Sequence, residues 1–229
     1  MPIEYLLRKL GSSFRFGIML WGRLTFWSSF NSVEVHGEVD VSEDKSILYI
    51  SNHLSYLDIP VLFGWVDNRA TFIARKSLSK IPFFGTWLKV IECEFLERRP
   101  SRKELGTMKR IKNKLKKGYR YFVFPEGTRS KDGKLQRFKR STRRLIEIEN
   151  LEIVPIFIKG TNEILPPTEF IFGSAKVEIF IGEKIQASEY DSNEVLDIIH
   201  DWMEEIQKKG KLIQINNHYN KPETASSLA

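Results

Sequence analysis

Apolar residues along the first thirty positions recur at helical spacing. At 100° per residue, Ile3, Leu6, Leu7, Leu10, Phe14, Ile18, Leu20, Trp21, Leu24 and Trp27 fill a wide arc. Glu4, Arg8, Ser12, Arg15, Gly22 and Arg23 share a polar sector, Lys9 lies off it, and Gly11 or Gly17 can divide the run into two helices. A broad apolar arc with tryptophans and a cationic margin suits the plane of a lipid interface; the same pattern also describes a helix packed on its own core. The longest apolar stretch, Phe16 to Phe30, is interrupted by Gly22, Arg23, Thr25 and two serines. It falls short of the ~20 apolar residues that a spanning helix needs, so this segment is expected to lie on a membrane rather than cross it.

From Val33 the period changes. Short β-rich runs are expected at 46–51, 70–75, 90–96, 119–124, 152–158 and 176–181. Helical spacing is expected at 57–65, at 102–117 through Leu105, Met108, Ile111 and Leu115, at 140–149, and from a cap at Asp191 or Ser192 to about Lys209. Strands alternating with helices indicate an α/β fold with a sheet covered on both faces. The expected organisation is an N-terminal amphipathic helix or helix pair for membrane association over 1–31, an α/β domain over 32–213, and a polar tail over 214–229 that frays.

Charge sharpens this picture because it is unevenly placed. The 229 residues carry a net +7, yet between Arg98 and Arg144 there are 19 Lys or Arg against three acids, Glu104, Glu126 and Asp132. That segment should attract an anionic surface or substrate, lipid or nucleic acid, and charge alone does not choose between them. The one cysteine, Cys93, excludes an internal disulfide and a Cys-only zinc site. His36, His53, His200 and His218 are scattered without ligand spacing, so no metal is expected. The start, MPIEYLLRKLGSSF, lacks a clean apolar core with a small-residue cleavage site, so no secretory signal is expected.

Two segments carry chemistry, and both fall where a strand ends, which is where open α/β sheets bind ligands. In ISNHLSYLD (50–58), His53 follows a strand and Asp58 stands five residues on. Such a pair can form a His–carboxylate hydrogen bond that sets the imidazole tautomer and stabilises the imidazolium formed when the ring takes a proton from an alcohol. Imidazole suits that task because its ordinary pKa of roughly 6.5 lies near neutrality. For a lone His-x4-Asp, a turn in which Asn52 and Asp58 only cap helices is the commoner explanation. In FVFPEGTRSKDGKLQRFKR (122–140), Gly127 permits a tight turn, Thr128 and backbone amides can donate, and Arg129 supplies a planar cationic fork for phosphate. Glu126, among so many cations, is expected to be held ionised and to orient an acceptor or Arg129.

Together NHLSYLD and FPEGTRS resemble, in order and separation, the paired motifs of the glycerolipid acyltransferases, the family typified by 1-acyl-glycerol-3-phosphate acyltransferase. FLER (95–98) stands between them where the family carries a strand ending in an acid and an arginine, and VPI (154–156) where it has a fourth, apolar block. The resemblance covers roughly residues 30–185. It implies a mixed, largely parallel sheet flanked by helices, with an amphipathic N-terminal segment binding the membrane. It implies an O-acyltransferase in phospholipid biosynthesis that makes phosphatidic acid from 1-acyl-glycerol-3-phosphate, with acyl-CoA or acyl carrier protein as donor and no cofactor. His53 would be the general base and Asp58 its orienting partner. Arg98 and Arg129 would hold the acceptor phosphate, Glu126, Gly127 and Thr128 would shape that site, and Lys139 would be a further phosphate contact. The protein would sit, peripheral or monotopic, on the cytoplasmic face of a membrane.

The sequence departs from the family pattern at Glu92 and Glu97, where a glycine and an aspartate are usual, and at Ser141 and Thr142, where small residues such as Gly-Ala often follow. These changes leave the acyl-transfer residues intact and open the acceptor to alternatives: a lyso-ornithine lipid, another lysophospholipid or glycerol 3-phosphate. Two other classes compete. A basic module binding RNA would explain the charge but leaves the His–Asp pair idle, so no nucleic-acid partner is expected. A thioester hydrolase, with His53 activating water, would release fatty acid without regard to a lysolipid. Ser55, two residues after the histidine and without nucleophile-elbow glycines, points to direct transfer rather than an acyl-serine.

Overall fold

The computed structural model describes residues 2–28, 31–39, 45–97, 102–148, 151–168 and 173–215. Eight strands form one sheet: β1 (Ser32–His36), β2 (Ile47–Ser51), β3 (Thr71–Arg75), β4 (Glu94–Leu96), β5 (Arg120–Val123), β6 (Glu152–Lys159), β7 (Lys176–Ile181) and β8 (Ile185–Gln186). Their order is β1-β7-β6-β2-β5-β3-β4, with β8 beside β6. Pairing is parallel except where β7 and β8 run against β6, so the sheet is mixed and largely parallel. The helices are α1 (Pro2–Trp27), α2 (Asp58–Trp65), α3 (Phe84–Val90), α4 (Arg102–Leu115), α5 (Arg140–Ile146), α6 (Thr161–Ile164) and α7 (Ser192–Lys209), and a short 3-10 helix spans Lys76–Lys80.

Alternation along the central strands sorts the core into two layers. On β2, Leu48 and Ile50 pack with Met108, Ile111 and Leu115 of α4 and with the buried face of α7. Ile47 and Tyr49 pack on the other side with Val61, Leu62 and Phe63 of α2. Every residue of β2 is buried, as a parallel strand covered on both faces requires. The α7 helix begins at Asp191 with a capping box closed by Glu194, the cap its sequence offered.

Two expectations are corrected. The run VIECEFL is not one strand: Val90 ends α3, Glu92 turns with φ 59°, and only Glu94–Leu96 pairs, with β3. Leu88 and Ile91 are buried while Val90 is 54% exposed, so the apolar residues here follow helical rather than alternating spacing. Gly22, placed on the polar face of the first helix, is buried against α2, where any side chain would collide with the Pro60 carbonyl and stand 3.1 Å from Gly64 N. Ile18, Gly22 and Phe26 therefore form the seam on α2, while Phe16, Leu20, Trp21, Leu24 and Trp27 face outward. The helix runs unbroken from Pro2 to Trp27, through Gly11 and Gly17. No helix among the described residues is long and apolar enough to cross a membrane.

Candidate active site

The carboxyl ends of β2, β5 and β6 converge on one site. Directly after β2, buried Asn52 donates its amide to the Ile158 carbonyl at 2.8 Å and accepts from Ile158 N at 2.7 Å, tying the β2 exit to β6. His53 follows. Its Nδ1 stands 2.7 Å from Asp58 Oδ2. A carboxylate can only accept, so Nδ1 carries a proton, and in the neutral ring Nε2 is then the nitrogen with the free lone pair. Phe124, the residue after β5, stacks on the imidazole at 4.0 Å with 12° between the planes and so sets the ring's orientation.

Asp58, wholly buried at the start of α2, is itself held on four sides. Oδ2 also accepts from Leu54 N at 2.7 Å and Ser55 N at 2.9 Å, and Oδ1 accepts from the Thr161 hydroxyl at 2.6 Å. The carboxylate thus clamps the turn before α2 and holds the histidine, but it does not cap the helix, whose N-cap is Leu57. Ser55 Oγ donates to the Leu165 carbonyl at 2.8 Å and accepts from Leu57 N at 3.2 Å. That hydroxyl is engaged in tying the loop.

The Pro-Glu-Gly turn after β5 locks onto the same loop. Glu126 Oε1 accepts from His53 N at 2.9 Å, Oε2 accepts from Gln136 N at 3.1 Å, and Ser130 N donates to the His53 carbonyl at 2.8 Å. The expectation that neighbouring cations hold Glu126 ionised is corrected: burial pushes its pKa up to about 7, outweighing the two backbone donors, with Asp58 adding in the same direction. Its side chain spans two loops, a supporting position beneath the site.

A carboxyl group bound more tightly to its proton in the folded than in the unfolded state costs nothing below the unfolded pKa, and stability is lost as pH rises from there through the folded value. Wild type should lose about 3 kcal/mol between pH 4.5 and 7 from this group alone. Denaturant melts at pH 5 and pH 8 should show Glu126→Gln losing correspondingly less than wild type; equal losses would rule out this burial cost.

Gly127 adopts φ 63°, and any side chain there would collide with the Lys139 ammonium, so glycine serves both the backbone and the approach of the lysine. Arg75, the last residue of β3, donates to the Gly127 carbonyl. Arg129 stacks on Tyr56 with its guanidinium carbon 3.6 Å from the ring centroid. Thr128 is exposed. Arg98 lies outside the described residues.

Beside His53, and sharing Phe124 as a wall, opens a cleft of about 690 Å³. Arg75, Lys139, Arg143 and Arg144 line it, together with Glu97, Glu104 and Glu147 and apolar residues that include Val123. The structure therefore brings His53, Asp58, Glu126, Gly127 and Lys139 to one place. Asn52 as a loop tie, Arg75, Phe124 and Thr161 were not legible as site residues. The signal that could have found them is position: each stands at, or within two residues of, the carboxyl end of a strand.

Among the described residues, one group has metal-ligand spacing, Glu34, His36 and Glu178. Lys176 pairs with both glutamates and Lys159 with Glu178, so their charge is already neutralised by lysines.

The family model described as "Acyltransferase" matches residues 32–159. A chloroplastic 1-acyl-sn-glycerol-3-phosphate acyltransferase of Arabidopsis thaliana is 33% identical over 174 residues, covering 75% of this chain and 48% of its own length. One from Haemophilus influenzae is 28% identical over 169 residues, covering 72% of this chain and 70% of its own. The chain spans about half the length of the plant relatives it matches. The crystal structure of the 1-acyl-sn-glycerophosphate acyltransferase from Thermotoga maritima superposes with a TM-score of 0.72 at 28% identity, over 85% of this chain and 80% of that one.

Proposed function

Since the chain belongs to the acyltransferase family, whose model covers more than half of it, we propose that it transfers a fatty acyl group from a thioester to the free hydroxyl of 1-acyl-glycerol-3-phosphate, giving phosphatidic acid. The observation that carries this reading is the His53–Asp58 pair, 2.7 Å apart at a strand end and beside a cleft with four cationic side chains. Relatives named for this activity support the acceptor.

In the proposed reaction, His53 Nε2 takes the acceptor's hydroxyl proton as the oxygen attacks the thioester carbonyl carbon. The imidazolium is stabilised by the carboxylate behind Nδ1. The tetrahedral oxyanion needs nearby donors, for which the backbone after Pro125 and Arg129 are the candidates. Collapse breaks the carbon–sulfur bond, and the leaving thiolate takes the proton back from His53. Arg129, Lys139 and Arg98 are assigned to the acceptor phosphate, with Gly127 and Thr128 shaping its site. No cofactor enters this scheme. The donor is acyl-CoA or acyl carrier protein, both of which present the same thioester.

The protein is assigned to a membrane surface as a peripheral or monotopic enzyme on the cytoplasmic face. The outward apolar face of α1 supports contact with lipid. We assign no nucleic-acid partner, because the His–Asp pair and the loops that brace it would then have no task.

A second acceptor class has a specific observation in its favour. Glu97 and Glu104 share the cleft with the cations, an arrangement that also fits a zwitterionic head group such as that of a lyso-ornithine lipid. Purified protein in detergent micelles, given labelled palmitoyl-CoA, should form phosphatidic acid from lysophosphatidic acid in preference to acylating lyso-ornithine lipid or glycerol 3-phosphate. Label moving only to lyso-ornithine lipid would keep the chemistry and overturn the acceptor. Fatty acid released equally with and without acceptor would make the protein a thioester hydrolase.

A further inference from the structure

The turn between the 3-10 helix and α3 holds an aromatic side chain out in solvent at a conformational cost. Phe83 is 92% exposed, and its backbone has φ 60° and ψ −55°, a region that bulky residues rarely occupy. It is the centre of a γ-turn, closed by Phe84 N donating to the Pro82 carbonyl at 2.6 Å. The neighbours over-determine this geometry. Gly85 N donates to the Ile81 carbonyl at 2.8 Å, and any side chain at Gly85 would collide with the Ser79 carbonyl. Strain of this kind persists only where the surrounding structure over-determines it, and it clusters at functional sites.

The turn is not isolated. Trp87 of α3 meets Trp21 of α1 with ring centroids 5.4 Å apart, and Phe84 stacks on Trp87 at 5.8 Å. Ile81, Phe83 and Val90 thereby extend the outward apolar face of α1 onto the α/β domain. Lys76, Lys80 and Lys89 are exposed on the same stretch, against one exposed acid, Glu92. An apolar surface with a cationic margin matches an anionic bilayer, whose acyl region takes the aromatics while its head groups meet the lysines. The segment also leaves β3 at Arg75, which touches the Gly127 turn, so a bilayer held here lies against the site end of the sheet.

We propose that the Ile81–Phe83 turn is a lipid-inserting element in its own right, which seats the α/β domain on an anionic membrane with Phe83 below the head groups. This rests on the membrane-surface reading of the preceding section and adds a second, independent point of contact to α1.

The test uses the full chain with Phe83→Cys carrying an environment-sensitive fluorophore; Cys93 is buried, and labelling of the parent chain serves as its control. Vesicles of phosphatidylcholine with phosphatidylglycerol, with and without spin-labelled acyl chains, are added. The expected result is a blue shift at position 83 with quenching by the spin label, and roughly tenfold weaker vesicle partitioning for Phe83→Ala. Vesicle binding with the probe still water-like would overturn this proposal and leave α1 as the membrane contact. No vesicle binding at all would remove both. A blue shift that grows with protein concentration in the absence of lipid would assign the turn to a second copy of the chain.

Discussion

Replacing His53 with alanine should lower acyl transfer by about 10²–10⁴-fold while leaving the fold in place. A positioned general base contributes roughly 10²–10⁴-fold to such reactions, and no other described histidine is hydrogen-bonded to a buried carboxylate. The imidazole is partly exposed and stacks on Phe124, so its removal takes away one ring contact and the hydrogen bond to Asp58 but no backbone tie. The loop is held instead by the His53 backbone, which donates to Glu126 and accepts from Ser130, and by Asn52. Initial rates with palmitoyl-CoA and lysophosphatidic acid, alongside a thermal melt, separate the two effects. Rates within tenfold of wild type at an unchanged melting temperature would remove His53 from the chemistry.

Asp58→Asn should lose transfer on the order of 10³-fold and still fold, whereas Asp58→Ala should fail on both counts. An asparagine can keep its oxygen toward Leu54 N, Ser55 N and His53 Nδ1 and place its amide toward Thr161, whose hydroxyl can turn to accept. Shape and hydrogen bonds survive, and what disappears is the negative charge that stabilises the imidazolium. Alanine instead strands two buried backbone donors and a buried hydroxyl, at about 1–3 kcal/mol each. Steady-state rates of both variants, with unfolding midpoints in denaturant, check this. If Asp58→Asn retained near wild-type kcat, the carboxylate would be a loop clamp and nothing more. Either result distinguishes charge from scaffolding at a residue that contacts both the imidazole and the backbone of its own turn.

The residues proposed to carry the chemistry stand out in the sequence because they are local in it. His53 and Asp58 share one turn, and Glu126 to Arg129 share another, so short motifs that end strands announce themselves without knowledge of the fold. The α/β class and most element boundaries were legible for a similar reason, since the apolar period switches cleanly between 2 and 3.6. It failed at Val90–Leu96, where a helix end and a strand abut and their apolar residues merge into one run.

Long-range relations had no such signal. That Thr161 closes the fourth side of Asp58, that Asn52 binds across to β6, and that Arg75 reaches the Gly127 turn all depend on which strands lie side by side. Strand order comes from packing of the whole sheet. The protonation preference of Glu126 shows the limit most plainly. Counting cations along the chain argues for an ionised carboxylate, but the side chain is buried away from them, and desolvation dominates. The sequence by itself determined which groups are present and how each turn is built. The tertiary structure decided their neighbours, and so their burial, because a charge's environment is set by what packs around it in space and not by what precedes it along the chain.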